Sequence, residues 1–194
     1  MLLEAMLATA MTCVPPATST DDVHPAAVAS LRPRDGMAAQ LLRLGREGSS
    51  TFRALERVLN DSRVVVYVDV RDDPKRELGG ALHFVAATSG RLFVRAVVDT
   101  GTTQFGISQQ RLVVLASLLG HELQHAAEVA AAPPIASERD FEALFKRIGI
   151  SEKPSELETI AAQQVGKRVR VELQRRESGE DACADAVLVG RQTS

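Results

Sequence analysis

The chain has 194 residues, of which 45% are apolar and 25% charged, with 23 Lys and Arg against 25 Asp and Glu. That is enough chain for one domain with its own core, and the balance excludes wholesale disorder. A net charge of −2 and 4% aromatics leave no footprint for nucleic acid, no apolar run approaches the ~18–20 residues of a membrane span, and two Cys exclude a disulfide scaffold or a four-Cys zinc site.

Residues 1–33 read as a processing segment and linker. Met1 to Pro16 is apolar and rich in small residues, with an Ala8-Thr9-Ala10 cleavage-like site, but Glu4 stands where an export signal carries basic residues. Read as a truncated signal, the segment implies a periplasmic or secreted protein; read as a short frayed helix, it implies a cytoplasmic one. Pro15 to Pro33 has linker composition. The folded domain is expected over 34–190.

Within it, Gly36 to Arg46 carries Met37, Leu41, Leu42 and Leu44 at helical spacing, and Thr51 to Leu59 carries Phe52, Leu55, Val58 and Leu59. Arg63 to Val70 is short and dense in β-branched residues, which predicts a strand. Ala81–Ala87 and Arg91–Val98 are two more, joined at Thr88-Ser89-Gly90 as a hairpin. Ser108 to Ala132 is a long helical run, apolar nearly all round and ended by Pro133-Pro134; that pattern marks a buried central helix, with Gly120 a weak point in propensity. Further helices are expected at Ser137–Ile148 and Ser155–Arg175, the latter with a weak point at Gly166. The fold class is therefore α+β: a small antiparallel sheet packed on a long buried helix, with more helices after it. Lys167, Arg168, Arg170, Arg175 and Arg176 are interleaved with and followed by acidic residues, as on a solvated helix face. Ala184 to Val189 is a short apolar patch of no assigned role.

The central helix contains His121-Glu122-Leu123-Gln124-His125, an H-E-x-x-H pattern. Residues i and i+4 share a helix face, so both imidazoles can approach one ion. Glu122 is turned about 100° from His121, beside such an ion, where a general base belongs. Burying two His and a Glu in an apolar helix without partners costs several kcal/mol.

A His-Glu-x-x-His helix preceded by a small sheet resembles the zincin metallopeptidases, over about Arg63 to Glu172. The resemblance implies His121 and His125 as zinc ligands and Glu122 as the base acting on a zinc-bound water. The metzincin continuation after His125 is missing, so the gluzincin pattern, with a Glu ligand on a later helix, is the nearer one. The chain is also similar to small bacterial H-E-x-x-H proteins with a later Glu-Thr-x-Ala-Ala segment. By analogy with zincins, the edge of the Ala81–Val98 hairpin would take a substrate as an added strand.

Zinc needs a third protein ligand. Glu158 heads the apolar stripe Ala161, Ala162, Val165, Val169 and Leu173, which points it toward the core. The competing reading is a capping box, Ser155-Glu156-Leu157-Glu158, in which Glu158 bonds the Ser155 N–H. Glu128 is a rival ligand, but a donor seven residues after His121 on a straight helix lies about 10 Å from it, which suits a residue that orients a His. His83, alternating with Ala81 and Val85 in a strand, is a third candidate, and Glu156 is expected to be exposed. Tyr67, His83, Arg111 and Arg168 are the candidates for stabilising a developing oxyanion. The expected function is zinc-dependent hydrolysis of a peptide or protein substrate, with Zn2+ on His121, His125 and Glu158. The alternative is a non-catalytic domain, either zinc-stabilised or metal-free. Oligomeric state is not encoded in any pattern found.

Overall fold

The computed structural model describes residues 29–73, 75, 77–101, 108–150 and 158–178. They form an α+β unit with a four-stranded sheet and five helices. The proposed signal, the Ser155 cap, Glu156 and the Ala184–Val189 patch lie outside the described residues.

Order begins before residue 34. Leu31–Pro33, which composition assigns to a linker, is strand β1, and Leu31 is buried. Pro33 suits this place because β1 is an edge strand, where a missing N–H is tolerated. Helix α1 (Gly36–Gly48) follows, capped by Asp35, whose carboxylate accepts the Ala38 N–H at 2.7 Å. Ser49 both ends α1 and caps helix α2 (Ser50–Asn60), its hydroxyl accepting the Phe52 N–H at 3.0 Å. Strands β2 (Val64–Arg71), β3 (Gly79–Thr88) and β4 (Arg91–Asp99) complete the sheet. Ser89 and Gly90 both have positive φ (51° and 72°), as the two-residue turn of a tight hairpin requires.

The sheet is mixed, not antiparallel as expected. Its order is β1-β2-β4-β3, with β1–β2 and β2–β4 parallel and only β3–β4 antiparallel. The physical reason is connectivity. α1 and α2 cross over between β1 and β2, so both run the same way. β3 is laid down at the far edge and its hairpin returns β4 into the gap beside β2. Alternation assigns Val64, Val66, Val68, Val94, Ala96 and Val98 to the helix-covered face. The opposite face carries Tyr67 and Phe93, stacked at 6.3 Å, with Arg32 and Arg34 over the Tyr67 ring.

Helix α3 (Gln109–Ala131) starts at its Ser108 cap and crosses the sheet as the buried centre of the domain. α4 (Glu138–Ile148), capped by Ser137, turns Phe141, Leu144 and Phe145 inward. α5 (Ile160–Ser178) packs closely along α3. The two glycines that weaken these helices in propensity are what allow the approach. A Cβ at Gly120 would meet Val169 at 3.0 Å, and one at Gly166 would meet the His121 Cβ at 3.3 Å. The basic run on α5 includes Glu172, which is not a bystander: its carboxylate accepts from the Ser49, Ser50 and Thr51 hydroxyls and from the Thr51 N–H. It thus docks α5 on the N-terminus of α2, where dipole and free N–H groups favour an anion. Among the described residues, no helix is long and apolar enough to cross a membrane.

Candidate metal centre

One turn of α3 carries His121 and His125 on one face. Their Nε2 atoms stand 3.2 Å apart, with the rings edge to face at 4.8 Å. Phe145 of α4 packs edge-on against His125 at 5.3 Å and helps bury it to 1% exposure. Glu158 comes in from the segment ahead of α5, with Oε1 3.5 Å from His121 Nε2. One ligand atom from each of the three residues lies within 4.8 Å of the others. Donors at zinc distances of about 2.0–2.1 Å stand about 3.3 Å apart in a tetrahedron; the His121–His125 and His121–Glu158 separations of 3.2 and 3.5 Å are near that spacing, and the whole set, within 4.8 Å, could hold one metal ion after a small closing movement. Two imidazoles and a carboxylate are a donor set open to several divalent transition metals, zinc among them. Burial, and then the neighbouring His125, hold His121 below its ordinary pKa against the opposing pull of Glu158 and Glu128. A neutral imidazole is the form that can ligate.

Glu158 is not at the head of a helical stripe, nor at the third position of a capping box. α5 begins at Ile160, and its cap is Thr159, whose hydroxyl accepts the Ala162 N–H at 3.1 Å. Glu158 sits just outside the helix. Its carbonyl accepts the Ile150 N–H at 2.8 Å, and its Oε1 accepts the Thr159 N–H at 2.9 Å. The segment is therefore held from α4's end and from α5's cap together.

Glu128 is not among the three clustered donors. Its Oε2 lies 3.0 Å from His125 Nδ1, the ring nitrogen turned away from the cluster, and its Oε1 accepts the Thr159 hydroxyl at 2.7 Å. Burial pushes this carboxyl up, but the hydrogen bonds of His125, Thr159 and Gln124, together with the charge of His125, outweigh it and leave the pKa below the ordinary value. His83 is also no ligand. It is exposed, registers with Arg95, and lies between the core-facing Leu82 and Phe84, so alternation turns it to the face of the sheet away from α3.

Glu122 is 3% exposed on α3, against the first residues of β3. A Cβ at Gly80 would stand 2.5 Å from Glu122 Oε1. Burial first, and the Glu158 carboxylate second, push its pKa up to about 8. A cation on the three donors opposes the second cause and favours the carboxylate.

The four residues weighed as oxyanion partners are not gathered here. Tyr67 is on the opposite sheet face. Arg111, in the first turn of α3, donates to the Thr100 carbonyl. Arg168 is exposed on α5, and His83 is on the sheet face away from α3. Thr159 and Gly80 belong to the site's surroundings and escaped the sequence reading, whereas Phe145 was expected to face inward from its helix and does so beside His125. For Thr159 a signal existed: a Thr directly before Ile160-Ala161-Ala162 is an N-cap pattern.

Comparison with protein-family models, with curated proteins and with solved structures finds no match for this chain.

Proposed function

We propose that the protein is a zinc-dependent hydrolase acting on a peptide bond, with His121, His125 and Glu158 holding the ion and Glu122 as general base. The observation that carries this reading is the convergence of the three donor atoms within 4.8 Å, with a buried carboxyl one residue from the first of them. Zinc on such donors supplies a Lewis acid and lowers the pKa of a water ligand toward neutrality. The chain supplies the rest. Glu122 takes the water's proton on a carboxylate oxygen and returns it to the leaving amine. A cation on the three donors favours the carboxylate form of Glu122, the form that can accept a proton. His125 is oriented through Nδ1, and Phe145 keeps water from its flank.

The test combines metal content with turnover. Protein purified without added metal should carry about one zinc per chain, lost in His125→Ala and Glu158→Ala. Glu122→Gln should keep the zinc and lose hydrolysis of a casein or mixed-peptide substrate by about 10²–10⁴-fold. Zinc retained with no hydrolysis in wild type would favour the zinc-stabilised, non-catalytic domain. No uptake of zinc would leave a metal-free fold with two core histidines.

A further inference from the structure

Glu128 faces two segments at once, and its bonds fix the direction of every proton around it. Thr159 Oγ1 already accepts the Ala162 N–H at 3.1 Å, so its single proton is available to Glu128 Oε1 at 2.7 Å. Gln124 Nε2 approaches the same oxygen at 3.5 Å. The other oxygen, Oε2, lies 3.0 Å from His125 Nδ1. A carboxylate is an acceptor only, so Nδ1 must bear the hydrogen, and in the neutral ring Nε2 then carries the lone pair. That lone pair points to the side where His121 Nε2 stands at 3.2 Å. Thr159 in turn is covalently next to Glu158.

We infer that Glu128 and Thr159 form a positioning latch, in which one carboxylate sets the tautomer of His125 and, through the Thr159 hydroxyl, the placement of the segment that carries Glu158. The inference rests on the metal-site reading and extends it by two residues that belong to none of the three donors. It explains why a carboxylate on the ligand face, three residues past His125, is turned to the back of that ring. It also explains how donors on α3 and ahead of α5 keep one geometry although they come from separate elements. Neither residue is one of the three donors; each acts through them, as a positioning residue.

The first readout is the His125 tautomer in metal-free, 15N-labelled protein, by long-range 1H–15N NMR at mildly alkaline pH. Wild type should show the Nδ1–H form, and Glu128→Ala should lose it in favour of the Nε2–H form that a free histidine side chain prefers. Loss of a helix cap would not move that signal. The second readout is zinc affinity by competition with a chromogenic chelator. Glu128→Ala and Thr159→Val should each bind about 10–100-fold more weakly. Thr159→Ser should return to near wild type, and the double variant should be little worse than Glu128→Ala alone, because the pair acts as one unit. An Nδ1–H His125 in Glu128→Ala, wild-type affinity in Thr159→Val, or losses that simply add would overturn the latch while leaving the metal site standing. Wild-type protein that takes up no zinc would overturn the metal reading itself, and the latch with it.

Discussion

Gly80 on β3 and Glu122 on α3 meet with no room for a methyl group between them. A Cβ at position 80 would stand 2.5 Å from Glu122 Oε1 and 3.0 Å from its Cδ and Cγ. With Glu122 buried to 3% exposure, the carboxyl has little space to retreat. Gly80→Ala should therefore displace the base and spare the donors. The expected outcome is full zinc content with kcat on a peptide substrate reduced about 10²-fold, the scale of a misplacement near 1 Å. Zinc analysis beside steady-state kinetics checks it; unchanged kcat would remove Glu122 from the role of base.

Zinc should stabilise the fold by mass action. At free zinc one hundred times its Kd the gain is about 2.7 kcal/mol, which for a chain of this size raises Tm by about 5–10 °C. Chelator should reverse the rise in wild type and have no effect on His125→Ala. Differential scanning calorimetry with and without chelator reads both.

Acid should loosen the contact between α5 and α2. Burial pushes the Glu172 carboxyl up, but bonds from the Ser49 hydroxyl, the Thr51 N–H and the Thr51 and Ser50 hydroxyls outweigh it, and the net pKa is below the ordinary 4.5. The unfolded chain then binds that proton more tightly than the folded one. The contribution is whole above 4.5 and is lost as pH falls through the lower, folded value. Glu172→Ala should lower Tm by about 2–4 °C at neutral pH and by less in acid, so the two Tm curves converge as pH drops. Parallel curves would count against the contact.

Gly45 on α1 should resist substitution for a steric reason. A Cβ there would lie 2.6 Å from the Phe52 ring, which is fully buried. Alanine is the better helix former by about 1 kcal/mol, yet overpacking of this kind costs about 1–3 kcal/mol. Gly45→Ala should be neutral to destabilising in urea denaturation, whereas an exposed helical glycine would gain.

What the sequence made legible was local. Ser108, Ser137 and the Pro133-Pro134 stop bound their helices because caps and breakers act within a turn. His121, Glu122 and His125 were readable for the same reason, since their spacing lies inside one helix. The sheet order was not, because parallel pairing of β2 with β1 and β4 depends on contacts distant in sequence. β1 was missed because three residues ending in Pro33 carry no periodicity. Glu158 was named as a donor on the premise of a helical stripe, but it occupies its place ahead of the helix. Two signals competed for the start of α5, and Thr159, not the Ser155 motif, caps it. Gly120 and Gly166 looked like faults in helix propensity and are the points where α3 and α5 touch.

His121 and Glu158 sit on either side of α4 in the chain, 37 residues apart, yet share one small space. An ion bound to both would turn that stretch into a closed ring with α4 inside it. Such a ring limits the sizes the unfolded chain can reach, as a cross-link does, and by the loop-entropy relation used for disulfides a ring of this length is worth about 3–4 kcal/mol. It would also hold the two ends together after a single backbone cut anywhere between them, so a nicked, metal-loaded chain should migrate as one molecule until chelator or denaturant opens the ring.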